Sequence, residues 1–384
     1  MSADIRPTLL ATAVDVEDFV AGTNLLSGAG GAPNEALEHL GETLAEGYEI
    51  GWHDLDVLDD DDLVVAAWYS GSVDPDVWRE RDRREAEFGL ERRVRRPLVA
   101  AIEQLEDRLG RRAAAVMPIE IGASNTAAAL DAGTRLGRIV PDVDCAGRAI
   151  PAFDCTLAAV AGLVRPPLAL VDYYGDVVEV VEAANVGRLE AIAKMVAAAT
   201  LGRVGSAGLA MSASEAKRHL PRGTLSASLA AGRALRAARA EGGDVVAGLV
   251  ARLDGAMALF GGELVRTEWD NATGYMVGHH HIRGTGDWAG KAMRIFFQNE
   301  NHLAWIDGRP VAMSPDLIEM VDARSAEPLV NTFLDVGQEL AVLGIPRRPE
   351  LASPGGIAAI GPARWGFDLP YAPFQDLCGD SLRP

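Results

Sequence analysis

The chain has 384 residues, a length that predicts more than one domain. Its composition, 48% hydrophobic and 24% charged, is that of a globular protein. Its 55 acidic and 36 basic residues give a net charge of -19, which argues against a nucleic-acid partner because phosphate backbones need a basic surface. Three cysteines without paired spacing indicate a reducing compartment, and no signal peptide or membrane-spanning run is visible. We expect a cytoplasmic homo-oligomer that acts on a small molecule and contacts no membrane.

A glycine-rich turn lies between the first two predicted helices, at 15–26 and 34–46. It reads Ser27-Gly28-Ala29-Gly30-Gly31-Ala32-Pro33. A turn that opens a helix can present backbone N–H groups to an anion, so Gly28, Gly30 and Gly31 are candidate substrate-binding residues. The alternative is a tight turn that binds nothing. The spacing of a dinucleotide fingerprint is missing, so we expect no nucleotide.

Strands and helices then alternate. Strands are predicted at 49–55, 63–69, 113–119 and 138–143, and helices at 97–109 and 126–136. This alternation predicts a three-layer α/β domain with a mostly parallel sheet, over residues 1–166. The Pro166-Pro167 pair is the best linker signal.

Polar side chains follow two of these strands. Glu120 and Asn125 come after the strand at 113–119, and Asp144 comes after the strand at 138–143. If the strands are parallel, their carboxyl ends meet at one edge of the sheet, so we expect these residues in one cleft. Glu120 and Asp144 are candidate acid–base residues, and Asn125 is a candidate for substrate binding.

The segment 143–156 contains several side chains that can take part in catalysis or binding. It holds Asp144, Cys145, Arg148, Asp154 and Cys155. Asp154 is a further acid–base candidate, Cys145 is a possible nucleophile, and Arg148 can hold a carboxylate by its two-pronged donors or pair with Asp144. The simpler interpretation is a capped turn with two buried thiols.

After residue 255 the pattern changes to consecutive strands, predicted at 256–270, 274–283, 292–298, 302–307 and 309–314. We expect residues 167–384 to form a β-rich α+β domain. Gln298-Asn299-Glu300-Asn301 is a polar cluster at the end of an apolar strand. It makes Glu300 an acid–base candidate and Asn299 a substrate-binding candidate, although a turn cap explains the cluster too.

Three consecutive histidines lie in one of these strands. Alternation places His279 and His281 on one face and His280 on the other. Together with Cys145 and Cys155 they offer imidazole and thiolate ligands, which select zinc. We therefore predict one zinc ion, with an exposed polar strand face as the alternative.

Several of these motifs occur together in a known family. They are Met117-Pro118-Ile119-Glu120-Ile121-Gly122 with Asn125; Asp142-Val143-Asp144 followed by Gly147-Arg148-Ala149 and Pro151; Gly223-Thr224-Leu225-Ser226; Phe297-Gln298-Asn299-Glu300-Asn301 with Ala304-Trp305; Ser314-Pro315-Asp316-Leu317-Ile318; and Gly361-Pro362 with Gly366-Phe367-Asp368. The chain resembles the S-methyl thiohydantoin desulfurase family, which is related to hydantoinases and oxoprolinases. The matching segments are spread along nearly the whole chain. The resemblance implies an N-terminal α/β domain and a β-rich C-terminal domain. It also implies hydrolysis of an S-methyl thiohydantoin to hydantoin and methanethiol, in the breakdown of histidine-derived thiol compounds.

The sequence departs from the family pattern at several positions. The usual Gly-Thr-Gly-Gly-Gly-Gly turn is altered, Cys145-Ala146 replace Gly-Met, Ala152 replaces a common Glu, and the triple histidine is added. We therefore keep three hypotheses. The first is a hydrolase in which activated water attacks the C–S carbon of a propionate-bearing ring. The second is a ring-opening cyclic amidohydrolase or a cysteine-nucleophile hydrolase, and the third is a non-catalytic binding protein.

Overall fold

The computed structural model describes residues 6–71, 75–271 and 274–379, apart from the side chains of 75–78. The helices are α1 (Ala13–Leu25), α2 (Pro33–Ala45), α3 (Pro75–Phe88), α4 (Pro97–Leu109), α5 (Ala123–Arg135), α6 (Leu157–Val160), α7 (Val186–Ala199), α8 (Ala213–His219), α9 (Thr224–Glu241), α10 (Val245–Val250), α11 (Pro354–Ile360) and α12 (Phe374–Cys378). The strands are β1 (Thr8–Leu9), β2 (Gly51–Trp52), β3 (Leu63–Gly71), β4 (Ala115–Pro118), β5 (Leu168–Val171), β6 (Val177–Val180), β7 (Arg203–Ser212), β8 (Met257–Asp270), β9 (Val277–Gly284), β10 (Ala292–Gln298), β11 (Glu300–Ile306), β12 (Arg309–Met313), β13 (Leu317–Asp322), β14 (Pro328–Leu329) and β15 (Glu339–Ile345).

The chain forms two compact units that alternate along the sequence. The first unit comprises residues 1–16, 34–147 and 152–226, and the second comprises 17–33, 148–151 and 227–384. The glycine-rich turn and Arg148 therefore belong to the second unit, in segments 17–33 and 148–151 that are inserted between stretches of the first. The predicted division at residue 166 stays a prediction, because compactness is a different criterion from independent folding.

The first unit is a three-layer α/β arrangement around a five-stranded sheet of order β4-β3-β7-β5-β6. Strand β3 is apolar on both sides, as a covered central strand must be. Val65 faces a layer that contains Leu98 of α4 and Ala128 of α5. Val64 faces the opposite layer, which contains Leu189 of α7. Together with the β-rich second unit, these layers confirm the predicted fold class.

The expectation of a mostly parallel sheet was wrong. Only β3 and β4 pair in parallel within the described sheet, whereas β3–β7, β5–β7 and β5–β6 are antiparallel. Strands β5 and β6 are joined by the short turn at 172–176, and a connection of that length can only join antiparallel strands. The predicted strand at 138–143 forms isolated bridges from His53 to Pro141 and from Ala115 to Ile139. Pro141 has no N–H to extend a ladder there.

The second unit contains an eight-stranded antiparallel sheet of order β12-β11-β10-β9-β8-β15-β13-β14. One apolar cluster includes Phe260, Ile295 and Met320. Another joins α1 and α9 to the sheet through Leu25, Leu235 and Leu343. Hairpins connect β9 to β10 and β10 to β11, which places the turn at residue 299 beside the start of β9. Among the described residues, no helix is long and apolar enough to cross a membrane.

Candidate functional site

Glu120 and Asn125 of the first unit are in direct contact, as the sequence suggested. The Asn125 side-chain N–H donates to Glu120 Oε1 at 2.7 Å, and its Oδ1 accepts from the Tyr69 backbone N–H at 2.9 Å. Asn125 lies in the first turn of α5, and Tyr69 lies near the end of β3. The amide thus joins the ends of two parallel strands, and Glu120 is only 9% exposed.

The Asp144 loop is attached to the same strand end. The Cys145 N–H donates to the Ile119 carbonyl at 3.2 Å. The buried Asp144 carboxylate accepts hydrogen bonds from the backbone N–H groups of Ala146 and Gly147, at 2.8–3.1 Å. The Asp144 carboxylate therefore stabilises the turn that follows it, at residues 145–147.

Burial opposes the reactivity that the sequence allowed for the thiols. Cys145 is fully buried, and this burial, with the nearby Asp144 carboxylate, raises its pKa well above the usual thiol range. A protonated thiol is a poor nucleophile and a poor metal ligand. Cys155 is also buried, and its Sγ lies 3.8 Å from Oδ1 of Asp154, in the 3₁₀ turn that both residues share.

Residues 28–31 of the second unit, which we call the glycine loop, are held by buried partners. The N–H groups of Gly28 and Ala29 donate to the two carboxyl oxygens of Glu319 on β13, the second at 2.9 Å. The Gly28 carbonyl accepts from the Asn301 N–H at 2.8 Å, and the Ala29 carbonyl accepts from the Asn331 N–H at 3.0 Å. The amide of Gly28 is therefore already occupied, whereas those of Gly30 and Gly31 make no hydrogen bond to any described residue.

Arg148 is a buried cation beside this loop. It is 1% exposed, and its guanidinium donates to the carbonyls of Ala149, Asn301, Pro315 and Asp316 at 3.2–3.3 Å. A Cβ added to Gly28 would lie 2.5 Å from Arg148 Nη2. Gly28 has a φ of 83°, so the loop both turns and approaches the arginine in a way that only glycine permits.

Glu300 packs against the next glycine. It is 5% exposed, and a Cβ added to Gly30 would lie 2.6 Å from Glu300 Oε1. Glu300 follows Asn299, whose φ of 58° makes a sharp turn between β10 and β11. The Asn299 side chain links this turn to the residue before β9, because its Oδ1 accepts from the Met276 N–H at 2.9 Å. The polar cluster at 298–301 is thus a turn that is held by the neighbouring Met276 backbone and that carries a buried carboxylate.

Sequence reasoning missed Glu319, although an acid within the otherwise apolar run 317–321 was the available signal. Its side chain is fully buried. Burial raises the pKa of Glu319 to about 8, against the opposing effects of the Gly28 and Ala29 N–H groups and of Arg148. As the pH rises through about 8, the neutral Glu319 carboxyl that faces the glycine loop therefore becomes a carboxylate.

His302 was also missed. It is fully buried, stacks on Trp365 with ring centroids 3.7 Å apart, and has its Nε2 3.3 Å from the Gln298 carbonyl. Because the carbonyl can only accept, Nε2 carries the proton. Its Nδ1 has no hydrogen-bond partner among the described residues. Burial and the charge of Arg148 lower the pKa of His302 well below its ordinary value, so the ring is neutral.

The three consecutive histidines alternate as predicted, but the buried one is His280. His279 and His281 are half-buried, with ring centroids 6.4 Å apart, and His281 Nε2 lies 3.1 Å from Glu268 Oε1. Within the described part of the chain, no three His, Cys, Asp or Glu side chains are grouped to hold a metal ion. The zinc site formed by Cys145, Cys155, His279 and His281 stays a prediction.

Comparison with known proteins places this arrangement in a family. Residues 14–182 match the N-terminal domain of S-Me-THD-like proteins, and residues 184–374 match the C-terminal domain. The chain belongs to the S-Me-THD-like family. The X-ray crystal structure of a protein from Chromobacterium violaceum is similar, with a TM-score of 0.76 and 24% identity, over 96% of this chain and 100% of that one. This likeness shows the fold alone. No curated protein matches the chain.

Proposed function

We propose that this S-Me-THD-like protein is a hydrolase that converts an S-methyl thiohydantoin bearing a propionate side chain to the hydantoin, with release of methanethiol. The observation that carries the proposal is the buried Glu300 carboxylate, packed against Gly30 in a loop that offers backbone amides. Family membership suggests the substrate class, a hydantoin-related ring.

The chemistry assigned to Glu300 is that of a general base. Glu300 takes a proton from water, and the water oxygen forms a bond to the ring carbon that carries sulfur. The tetrahedral adduct then collapses to a C=O group, the C–S bond breaks, and the sulfur leaves as methanethiolate, which is protonated. The ring nitrogen gains the other proton, so the sum is thioimidate plus water to hydantoin plus methanethiol.

Gly30 and Gly31 are the proposed substrate-binding residues of the loop. Their N–H groups are not used by other described residues, so they can donate to a ring oxygen or to the propionate. Gly28 has a different role, because its N–H binds Glu319. The guanidinium of Arg148 donates to backbone carbonyl oxygens. We therefore assign it the stabilisation of negative charge near the loop, and not the binding of the substrate's carboxylate.

Incubation of the purified protein with the S-methyl thiohydantoin propionate in ¹⁸O-labelled water tests the proposal. Methanethiol is quantified with a thiol reagent, and the ring product by mass spectrometry. We expect equal amounts of methanethiol and hydantoin, with one ¹⁸O at the carbon that carried sulfur. A ring-opened carbamoyl product with sulfur retained would favour the amidohydrolase alternative, and binding without turnover would contradict both.

A further inference from the structure

We propose that His280 is a positioning residue that fixes the glycine loop and the Glu300 turn relative to each other through Asn331. This inference rests on the proposed function, because it assigns His280 a part in placing Glu300 for catalysis. His280 lies on β9, where it is fully buried and stacks on Phe297 with ring centroids 4.2 Å apart.

The contacts of His280 determine which nitrogen carries its proton. His280 Nε2 lies 3.0 Å from Oδ1 of Asn331, and Nδ1 lies 3.0 Å from Oγ1 of Thr267. The Asn331 side-chain N–H₂ donates to the Asn299 carbonyl at 2.7 Å, so the amide orientation is set and its Oδ1 can only accept. His280 therefore donates from Nε2 and accepts the Thr267 hydroxyl proton at Nδ1.

Asn331 links the two segments that meet at Glu300. Its side-chain N–H₂ binds the Asn299 carbonyl and also Oδ1 of Asn301 at 3.1 Å, so it contacts the residues on both sides of Glu300. Its backbone N–H binds the Ala29 carbonyl, one residue before Gly30. One asparagine thus holds the carboxylate turn and the glycine loop at the same time.

A neutral imidazole suits this role. Burial lowers the pKa of His280 to about 4, so the ring keeps one donor and one acceptor nitrogen near neutral pH. An apolar replacement leaves Oδ1 of Asn331 and the Thr267 hydroxyl without this partner, and a freed asparagine amide can rotate. Glutamine retains a donor at the end of a side chain of similar reach.

The test compares the kinetics of His280→Leu and His280→Gln with those of wild type, using methanethiol release. His219→Gln, at an exposed residue of α8, is the control and should stay within about twofold of wild type. We expect His280→Leu to lower kcat by about tenfold or more with a smaller change in KM, since misplacement of reacting groups lowers the rate of the chemical step. His280→Gln should recover part of the loss. A folded His280→Leu protein with wild-type kcat would overturn the inference; if it does not fold, absence of any kcat loss in His280→Gln would do so.

A measurement independent of turnover separates this inference from the proposed function. In ¹⁵N-histidine spectra of the wild type, we expect one protonated Nε2 and one unprotonated, hydrogen-bonded Nδ1 for His280, both of which shift in Asn331→Ala. If the wild type releases no methanethiol, the proposed function fails, and with it the catalytic part of the inference. If the His280 signals show the opposite tautomer, or do not respond to Asn331→Ala, the link through Asn331 is overturned whatever the activity.

Discussion

Glu300 Oε1 occupies the space that a side chain on residue 30 would need, since an added Cβ on Gly30 would lie 2.6 Å away. The same Cβ would also lie 2.9 Å from Cγ and 3.2 Å from Cδ of Glu300, so the whole end of this side chain packs against the glycine backbone. A substitution at Gly30 is therefore expected to move the carboxylate, which is the easier of the two to displace.

Gly30→Ala should lower kcat by about tenfold or more, because the Glu300 side chain has to move away from the new methyl group. It should also lower the free energy of unfolding by about 1–3 kcal/mol, since the displaced side chain is buried. The measurements are methanethiol release and denaturant unfolding. Gly41→Ala in α2 is the matched control: no atom lies within 4 Å of its added Cβ. This helical replacement should stabilise the protein by about 0.4–1 kcal/mol and leave turnover unchanged. Equal turnover in both variants would contradict the assigned contact.

The raised pKa of Glu319 predicts that stability depends on pH. The pKa is about 8 in the folded protein and has an ordinary value of 4.5, so the folded state binds more protons than the unfolded chain between these two values. The contribution of Glu319 is fully present below the ordinary pKa and is lost as pH rises through the folded pKa, with a slope of up to about 1.4 kcal/mol per pH unit.

Unfolding free energies of wild type and Glu319→Gln, measured from pH 4.5 to pH 9, test this dependence. The variant should lack the decline that wild type shows. It should also be less stable at low pH, by about 1–3 kcal/mol, since its amide cannot accept from both loop N–H groups. Parallel pH profiles for the two proteins would show that Glu319 does not titrate in this range.

Cys145 is expected to behave as an inert thiol. Its raised pKa and full burial predict no rapid alkylation by iodoacetamide at pH 8 in the folded protein. Cys145→Ala should keep turnover within about twofold of wild type, because it removes one buried sulfur and no reacting group. Stoichiometric labelling that abolishes activity would instead support the cysteine-nucleophile alternative.

Local patterns were sufficient to predict much of the fold. Successive strand-like runs indicated the β-rich second half, and the break in strand–helix alternation after residue 255 indicated where it begins. The contact between Glu120 and Asn125 was predictable because the two residues are five positions apart at the end of a strand. The split of the histidines between two faces of β9 followed from strand geometry alone.

Long-range pairings were not predictable in this way. Glu319 binds amides about 290 residues away, and Asn331 joins His280 to a loop near residue 29. The acid in an apolar run could mark Glu319 as a buried polar residue, but local spacing does not show which residues these side chains bind. The prediction of a mostly parallel sheet was wrong for a related reason. A covered strand has a similar apolar pattern whether its neighbours are parallel or antiparallel.

The most direct test of the central claim is the kcat of Glu300→Gln for methanethiol release. The matched control is Glu339→Gln, which neutralises an exposed carboxylate on β15 of the same unit. If Glu300 is the general base, its replacement should lower kcat by about 10²-fold or more, and the control should match wild type. A folded Glu300→Gln protein that retains wild-type kcat would contradict the account.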